Sequence, residues 1–223
     1  MLICACVSSH GFGHGSRTAS VLCELAALRP DWRLVISTGL PPAFLELSFG
    51  PVPFEVRPCR WDVGVVQADA LGADAGATLT ALERLEEELP ALVEREARWL
   101  EAQRQPVLVL GDVPPAAALL ARRLQVPLVW LASFGWDAIH APMGPAFRPW
   151  VERHRRLYGQ GDLLLHCPLA LPMDWGVPEV RLGLTSSRPR LDPARLAREL
   201  ALPAERERVV LVSFGGLGMA IDP

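Results

Sequence analysis

Lysine is absent from this sequence: all 22 basic residues are arginine. A Walker A phosphate loop, a Schiff-base lysine and a kinase-type lysine are thereby excluded, because each depends on a primary amine. An excess of positive charge is missing as well. The 25 acidic residues outnumber the basic ones and the net charge is -3, which argues against nucleic acid as a partner. No apolar run approaches the roughly 18 residues that span a bilayer. The opening MLICACV lacks the positive flank of a signal peptide. Peripheral contact with a membrane surface stays open. Five cysteines, at 4, 6, 23, 59 and 167, are odd in number and irregular in spacing, which suits a reducing, cytoplasmic setting better than a disulfide framework.

Apolar material is plentiful: half of the 223 residues are hydrophobic, enough for a large core. Dense apolar runs at 2–8, 33–39, 53–58, 106–112, 127–133 and 163–167 read as strands. They lack in–out alternation, as strands buried on both faces do. Helical spacing appears between them, at 17–28, 78–103, 114–124 and 146–158, with Pro90 expected to kink or split the longest helix. Strands alternating with helices predict an α/β fold, a doubly wound parallel, Rossmann-like sheet. This domain spans 1–167. Prolines at 168, 172, 178, 189 and 193 mark 168–193 as a connector. Residues 194–223 then read as a helix and a fresh strand, RVVLVSFGG, the start of a second domain of which only the first strand is present. An unpaired strand there would be an unprotected edge, prone to aggregation.

The stretch SSHGFGHGS after the first strand places Gly11, Gly13 and Gly15 with two histidines before a helix. In an open parallel sheet, ligands bind outside the carboxyl ends of the strands, and this loop lies there. Arg17 would sit near the helix N-terminus, where the macrodipole does not favour a cation, so it is expected to face an anion or a carboxylate. A plain strand–helix turn is one reading. A dinucleotide site is another, but position 16 is Ser and the second strand ends without an acidic residue for a ribose. A metal site built from His10, His14, Cys4 and Cys6 is disfavoured, because glycines break the histidine spacing and the cysteines belong to a buried strand. The remaining reading is a histidine held over a cleft as a general base, with an orienting carboxylate. Asp112, at the end of the fourth strand, is the candidate for that carboxylate, and equally a helix N-cap.

SHGFGHGSR (9–17), VGVVQADAL (63–71), EREARWL (94–100), LVLGDVPPAAALLA (108–121) and SFGWDAIHA (133–141) follow one another in an order that resembles the GT-B glycosyltransferase superfamily, N-terminal domain. The likeness is above all to the glycosyltransferase-like N-terminal part of plant L-arabinokinases and bacterial relatives. It implies an acceptor-side domain facing a nucleotide-sugar-binding domain across a cleft. It implies His14 as base and Asp112 as its partner, in an inverting transfer to a hydroxyl acceptor. Gly11, Gly13, Gly15 and Arg17 would shape the donor diphosphate loop together with Ser213, Gly215 and Gly216. No metal or cofactor is implied, the nucleotide-sugar being a co-substrate. Gln67, Asp69, Ser133, Trp136, Asp137 and His140, at strand carboxyl ends, are candidate contacts for a small-molecule or glycan acceptor. Trp136 reads equally as a loop anchor and Asp137 as a helix cap. The main donor pocket would belong to a C-terminal domain beyond these residues, so this piece alone is expected to transfer no sugar. The alternative is a module that binds a sugar or sugar nucleotide without catalysis.

Overall fold

The structure, a computed structural model, describes residues 1–68, 72–187, 191–203 and 208–211. The strands are β1 (Leu2–Val7), β2 (Arg33–Thr38), β3 (Glu55–Pro58), β4 (Val107–Asp112), β5 (Leu128–Ala132), β6 (Leu163–His166) and β7 (Glu179–Arg181). They form one seven-stranded sheet in the order β3-β2-β1-β4-β5-β6-β7. Every pairing is parallel. The order reverses between β1 and β4, the switch point at which open α/β sheets bind ligands.

Both faces of the sheet are covered, which explains the unbroken apolar strands. Ile3, Ala5 and Val7 of β1 point to one side, where α1 (Phe12–Leu28) and α2 (Pro42–Phe49) bury Ala19, Leu22, Leu45 and Phe49 against them. Leu2, Cys4 and Cys6 point to the other, against α3 (Ala75–Ala102), α4 (Ala117–Leu124) and α6 (Arg148–Tyr158). Cys4 and Cys6 therefore face away from the helix that carries His14. All five cysteines are free thiols. No helix among the described residues is long and apolar enough to cross a membrane.

Four details differ from the sequence expectation. First, α1 begins at Phe12, so Gly13, His14 and Gly15 are helical and not part of a loop. Gly11 takes the N-cap with φ 92°, a conformation glycine adopts without penalty. Gly15 is needed for space, because a Cβ there would lie 2.6 Å from both Leu40 Cδ1 and Phe44 Cε1. Second, α3 runs through Pro90 as one element. Pro90 lies on the exposed side, where solvent can reach the carbonyl that the ring leaves without an amide. Third, the Pro-rich connector contributes β7, which pairs with β6 in the register Leu165↔Val180. Its three residues are all exposed and carry no apolar run. Fourth, within RVVLVSFGG the described residues, 208–211, are exposed and belong to no strand, while 212–223 lie outside the described residues.

Gly111 in β4 has no room for a side chain: a Cβ would overlap the ring of Trp130, which is fully buried and donates from Nε1 to the Tyr158 carbonyl at 2.9 Å. Gly111→Ala should therefore destabilise the fold by about 1–3 kcal/mol through overpacking. A urea midpoint unchanged from that of the parent would contradict this packing.

Candidate functional site

The register Val7↔Asp112 sets the end of β4 beside the end of β1. Ser8 N–H, one residue beyond β1, donates to the Asp112 carbonyl at 3.2 Å. The chain then turns at Val113, whose φ of 80° is uncommon for a β-branched residue and costs about 1–3 kcal/mol. Tyr158 OH donates to the Val113 carbonyl at 2.7 Å and holds the turn. The turn leaves the Asp112 carboxylate fully buried under the first two turns of α1.

Three α1 side chains at helical spacing converge on that carboxylate. His14 Nδ1 lies 3.0 Å from Oδ1. Arg17 forks around the group, with Nε donating to Oδ2 at 3.1 Å and Nη2 to Oδ1. Thr18 donates its hydroxyl to Oδ2 at 2.6 Å. The third Arg17 nitrogen, Nη1, donates to Ser133 Oγ at 2.8 Å. A lone buried carboxylate would be costly, and here every lone-pair direction meets a donor. Burial by itself pushes the Asp112 carboxyl up; the Arg17 charge and the bonds from His14 and Arg17 outweigh it and hold the group below its ordinary value. Arg17 is raised in return: burial works against its charge, but Asp112 more than compensates. Asp112 is thus an ionised acceptor. It does not cap α4, whose N-cap is Ala116.

Arg17 Nη2 also lies 3.2 Å from His14 Nδ1, but it is closer to Oδ1. Nη2 carries two hydrogens, and the shorter contact gives the one facing Asp112 to Oδ1; with His14 assigned as protonated on Nδ1, that proton points to the same oxygen. That assignment leaves the Nε2 lone pair free. His10, Gly13, His14, Arg17, Ser133 and Thr185 line an open groove of about 500 Å³ at the carboxyl edge of the sheet.

The other sequence candidates fall into four groups. Gly11 and Gly13 are exposed at the start of α1, and Gly15 is buried against α2. Trp136, Asp137 and His140, on α5 (Trp136–His140), are buried and do not line the groove. They form a wall behind it, with the Trp136 ring centroid 6.4 Å from that of His14. Gln67 is exposed and bridged to Ala73, outside the lining of the groove. Asp69, Ser213, Gly215 and Gly216 lie outside the described residues.

Sequence reasoning missed Thr18, although it stands one helical turn after His14. It also missed Asp62, which is buried and accepts from Trp136 Nε1 at 2.7 Å. Burial pushes the Asp62 carboxyl up, partly offset by bonds from Ser8 and Trp136. His140 Nε2 donates to the Gly64 carbonyl at 2.9 Å, so the 62–64 segment grips α5 at two points. Among the described residues, no three His, Cys, Asp or Glu side chains gather as a metal ion would require.

Behind the wall, His140 and His154 pack with ring centroids 5.4 Å apart. Burial lowers both, His154 to about 3. His154 is therefore neutral in the fold, while its unfolded form takes up a proton below about pH 6.5. Its share of stability is full above that pH and is lost as pH falls toward 3, about 2 kcal/mol by pH 5. His154→Leu should lose less stability between pH 7 and pH 5 than the parent does in urea unfolding; equal losses would contradict the buried neutral imidazole.

No family model matches the chain. The L-arabinokinase of Arabidopsis thaliana is 29% identical over 218 residues, which is 94% of this chain and 20% of the arabinokinase. Among solved structures, Phytolacca americana UGT2 complexed with UDP-2fluoro-glucose and pterostilbene superposes with a TM-score of 0.53 at 12% identity, over 90% of this chain and 57% of that one. Arabidopsis thaliana UGT89C1 complexed with quercetin gives 0.52 at 11% identity, over 90% and 54%. TcCGT1 in complex with UDP gives 0.53 at 12% identity, over 91% and 55%. The chain spans a fifth of the arabinokinase and little more than half of each of these structures. It has the fold of one half of the GT-B UDP-glycosyltransferases and is similar in sequence to the matching fifth of a plant L-arabinokinase.

Proposed function

We propose that this chain is the acceptor-side half of a glycosyltransferase-like protein that moves a sugar from a nucleotide-sugar to a hydroxyl acceptor. The observation that carries the reading is His14 at the groove, hydrogen-bonded through Nδ1 to a buried, ionised Asp112. That arrangement presents Nε2 as a base. The solved structures that share the fold hold UDP, UDP-2fluoro-glucose, quercetin and pterostilbene, which supports both a nucleotide-sugar donor and a small-molecule acceptor.

In the proposed reaction, His14 Nε2 takes the proton of the acceptor hydroxyl as its oxygen attacks the anomeric carbon. The bond from that carbon to the diphosphate breaks on the opposite face, and the nucleotide diphosphate leaves with the electron pair. A single displacement of this kind inverts the anomeric centre. The free N–H groups in the first turn of α1, beside exposed Gly11 and Gly13, suit the departing diphosphate. Ser213, Gly215 and Gly216 are proposed to approach it from the donor side. Ser133 borders the groove and is proposed to touch the acceptor, as are Gln67 and Asp69; Trp136, Asp137 and His140 shape the wall. The reaction calls for no metal or cofactor. Five free thiols are consistent with a cytoplasmic setting.

General-base catalysis typically contributes about 10²–10⁴-fold. In the full-length natural protein, with UDP release from UDP-sugars measured against a panel of hydroxyl acceptors, His14→Ala should lower kcat by about 100-fold or more, with the donor KM changed far less. Near-normal turnover in that variant would overturn the base assignment.

A further inference from the structure

We infer that Arg17 is not a phosphate ligand but the third member of the His14–Asp112 pair: it cancels the carboxylate's field at the imidazole and so keeps the proton off Nε2. This rests on the reading of His14 as a base, but it concerns the imidazole itself and can be tested without turnover.

The first argument is occupancy. Each of the three guanidinium nitrogens already has a protein partner: Nε and Nη2 on Asp112, Nη1 on Ser133. The side chain is only 12% exposed and packs along the strand ends. The Nε–Nη2 edge of the guanidinium is thus spent on a protein carboxylate and does not clasp a phosphate in the bidentate manner.

The second argument is charge. A carboxylate hydrogen-bonded to a histidine ordinarily favours the imidazolium, and an opposite charge within about 4–6 Å moves such an equilibrium by one to three pKa units. Here a guanidinium sits on the same Oδ1 that His14 touches, with Nη2 3.2 Å from Nδ1. Its repulsion of a second positive charge opposes the attraction of Asp112 at nearly the same distance. Asp112 then orients the ring through Nδ1 without inviting a proton onto Nε2. The other groups facing the pair are few: the His10 imidazole from the loop after β1, the buried Asp62 carboxyl from the loop after β3, and the Cys167 thiol beside Arg17 at the end of β6. None of them forms a hydrogen bond or ion pair with the His14 ring among the described residues.

The third argument is placement. Arg17 is the sixth residue of α1, a full turn beyond the free N–H groups. It therefore lies below the groove's anion-facing end and against the strand that carries Asp112. The cation that looked misplaced at a helix start is positioned for the carboxylate.

The test is a proton titration of the five histidines by NMR on isotopically labelled protein, reading ring shifts against pH in the parent, Arg17→Gln and Arg17→Lys. Arg17→Gln should raise the proton affinity of His14 about tenfold or more, and Arg17→Lys, which keeps the charge, should leave it within about threefold. The ring nitrogen shifts of the parent should place the neutral proton on Nδ1. A His14 titration unmoved or weakened in Arg17→Gln, with the other four histidines unchanged, overturns the inference. So does a parent His14 whose neutral proton sits on Nε2, a readout that needs no variant to fold.

Discussion

One buried negative charge organises this molecule. Asp112 is fully shielded from solvent at the switch point of the sheet. An ionised carboxylate there is tolerable only if donors surround it, and removing one partner of such a pair typically costs about 3–5 kcal/mol. Those donors come from a single helix, and they dictate where that helix must start and how it must rotate. His14, Arg17 and Thr18 reach the carboxylate together only because α1 begins before them. That early start needs Gly11 in a left-handed N-cap and Gly15 in contact with α2. The glycine-rich stretch therefore serves the placement of a helix over a charge.

A second layer keeps the first in register. Tyr158, the sole tyrosine, donates to the Val113 carbonyl and accepts from Trp136 N–H at 3.0 Å. It thereby ties the strained turn after Asp112 to the start of α5. Asp62 and Gly64 grip α5 from the opposite side. The Trp136 ring, held at both ends, packs edge-on to His10 with centroids 5.3 Å apart and stacks on His140 at 5.8 Å. Groove, wall and buried histidine pair thus form one continuous aromatic and polar stack. Trp136 and the Val113 turn each connect α6 to the surroundings of His14.

Much of this was legible in the sequence. Strands buried on both faces announce themselves as dense apolar runs, and β1, β2, β4 and β5 match theirs within a residue or two. An acidic residue closing the β4 run drew attention to Asp112, and a cation near a helix start implied that Arg17 must meet a negative charge. What escaped did so for physical reasons. Glycine's low helix propensity concealed the first turn of α1, where the gain comes from tertiary contacts. Strand β7 has no apolar signal because it lies at the sheet edge. Thr18 carries an ordinary hydroxyl on an ordinary helix. Asp62 finds its partner 74 residues away, a separation that no local pattern encodes.

The central position of β1 has a consequence for how the chain is made. Its two neighbours arrive at different times: β2 follows closely, but β4 ends some hundred residues after β1 begins. At synthesis rates of about 5–20 residues per second, roughly 5–20 s separate the emergence of Arg17 from that of Asp112. Over that interval one edge of β1 lacks its partner and the guanidinium has no counter-ion. The nascent N-terminal third is then a half-sheet whose missing strand is also its missing charge. The pairing of β4 with β1 and the meeting of Arg17 with Asp112 are consequently one event, open to the nascent chain only after the sequence LGDVPP has left the exit tunnel.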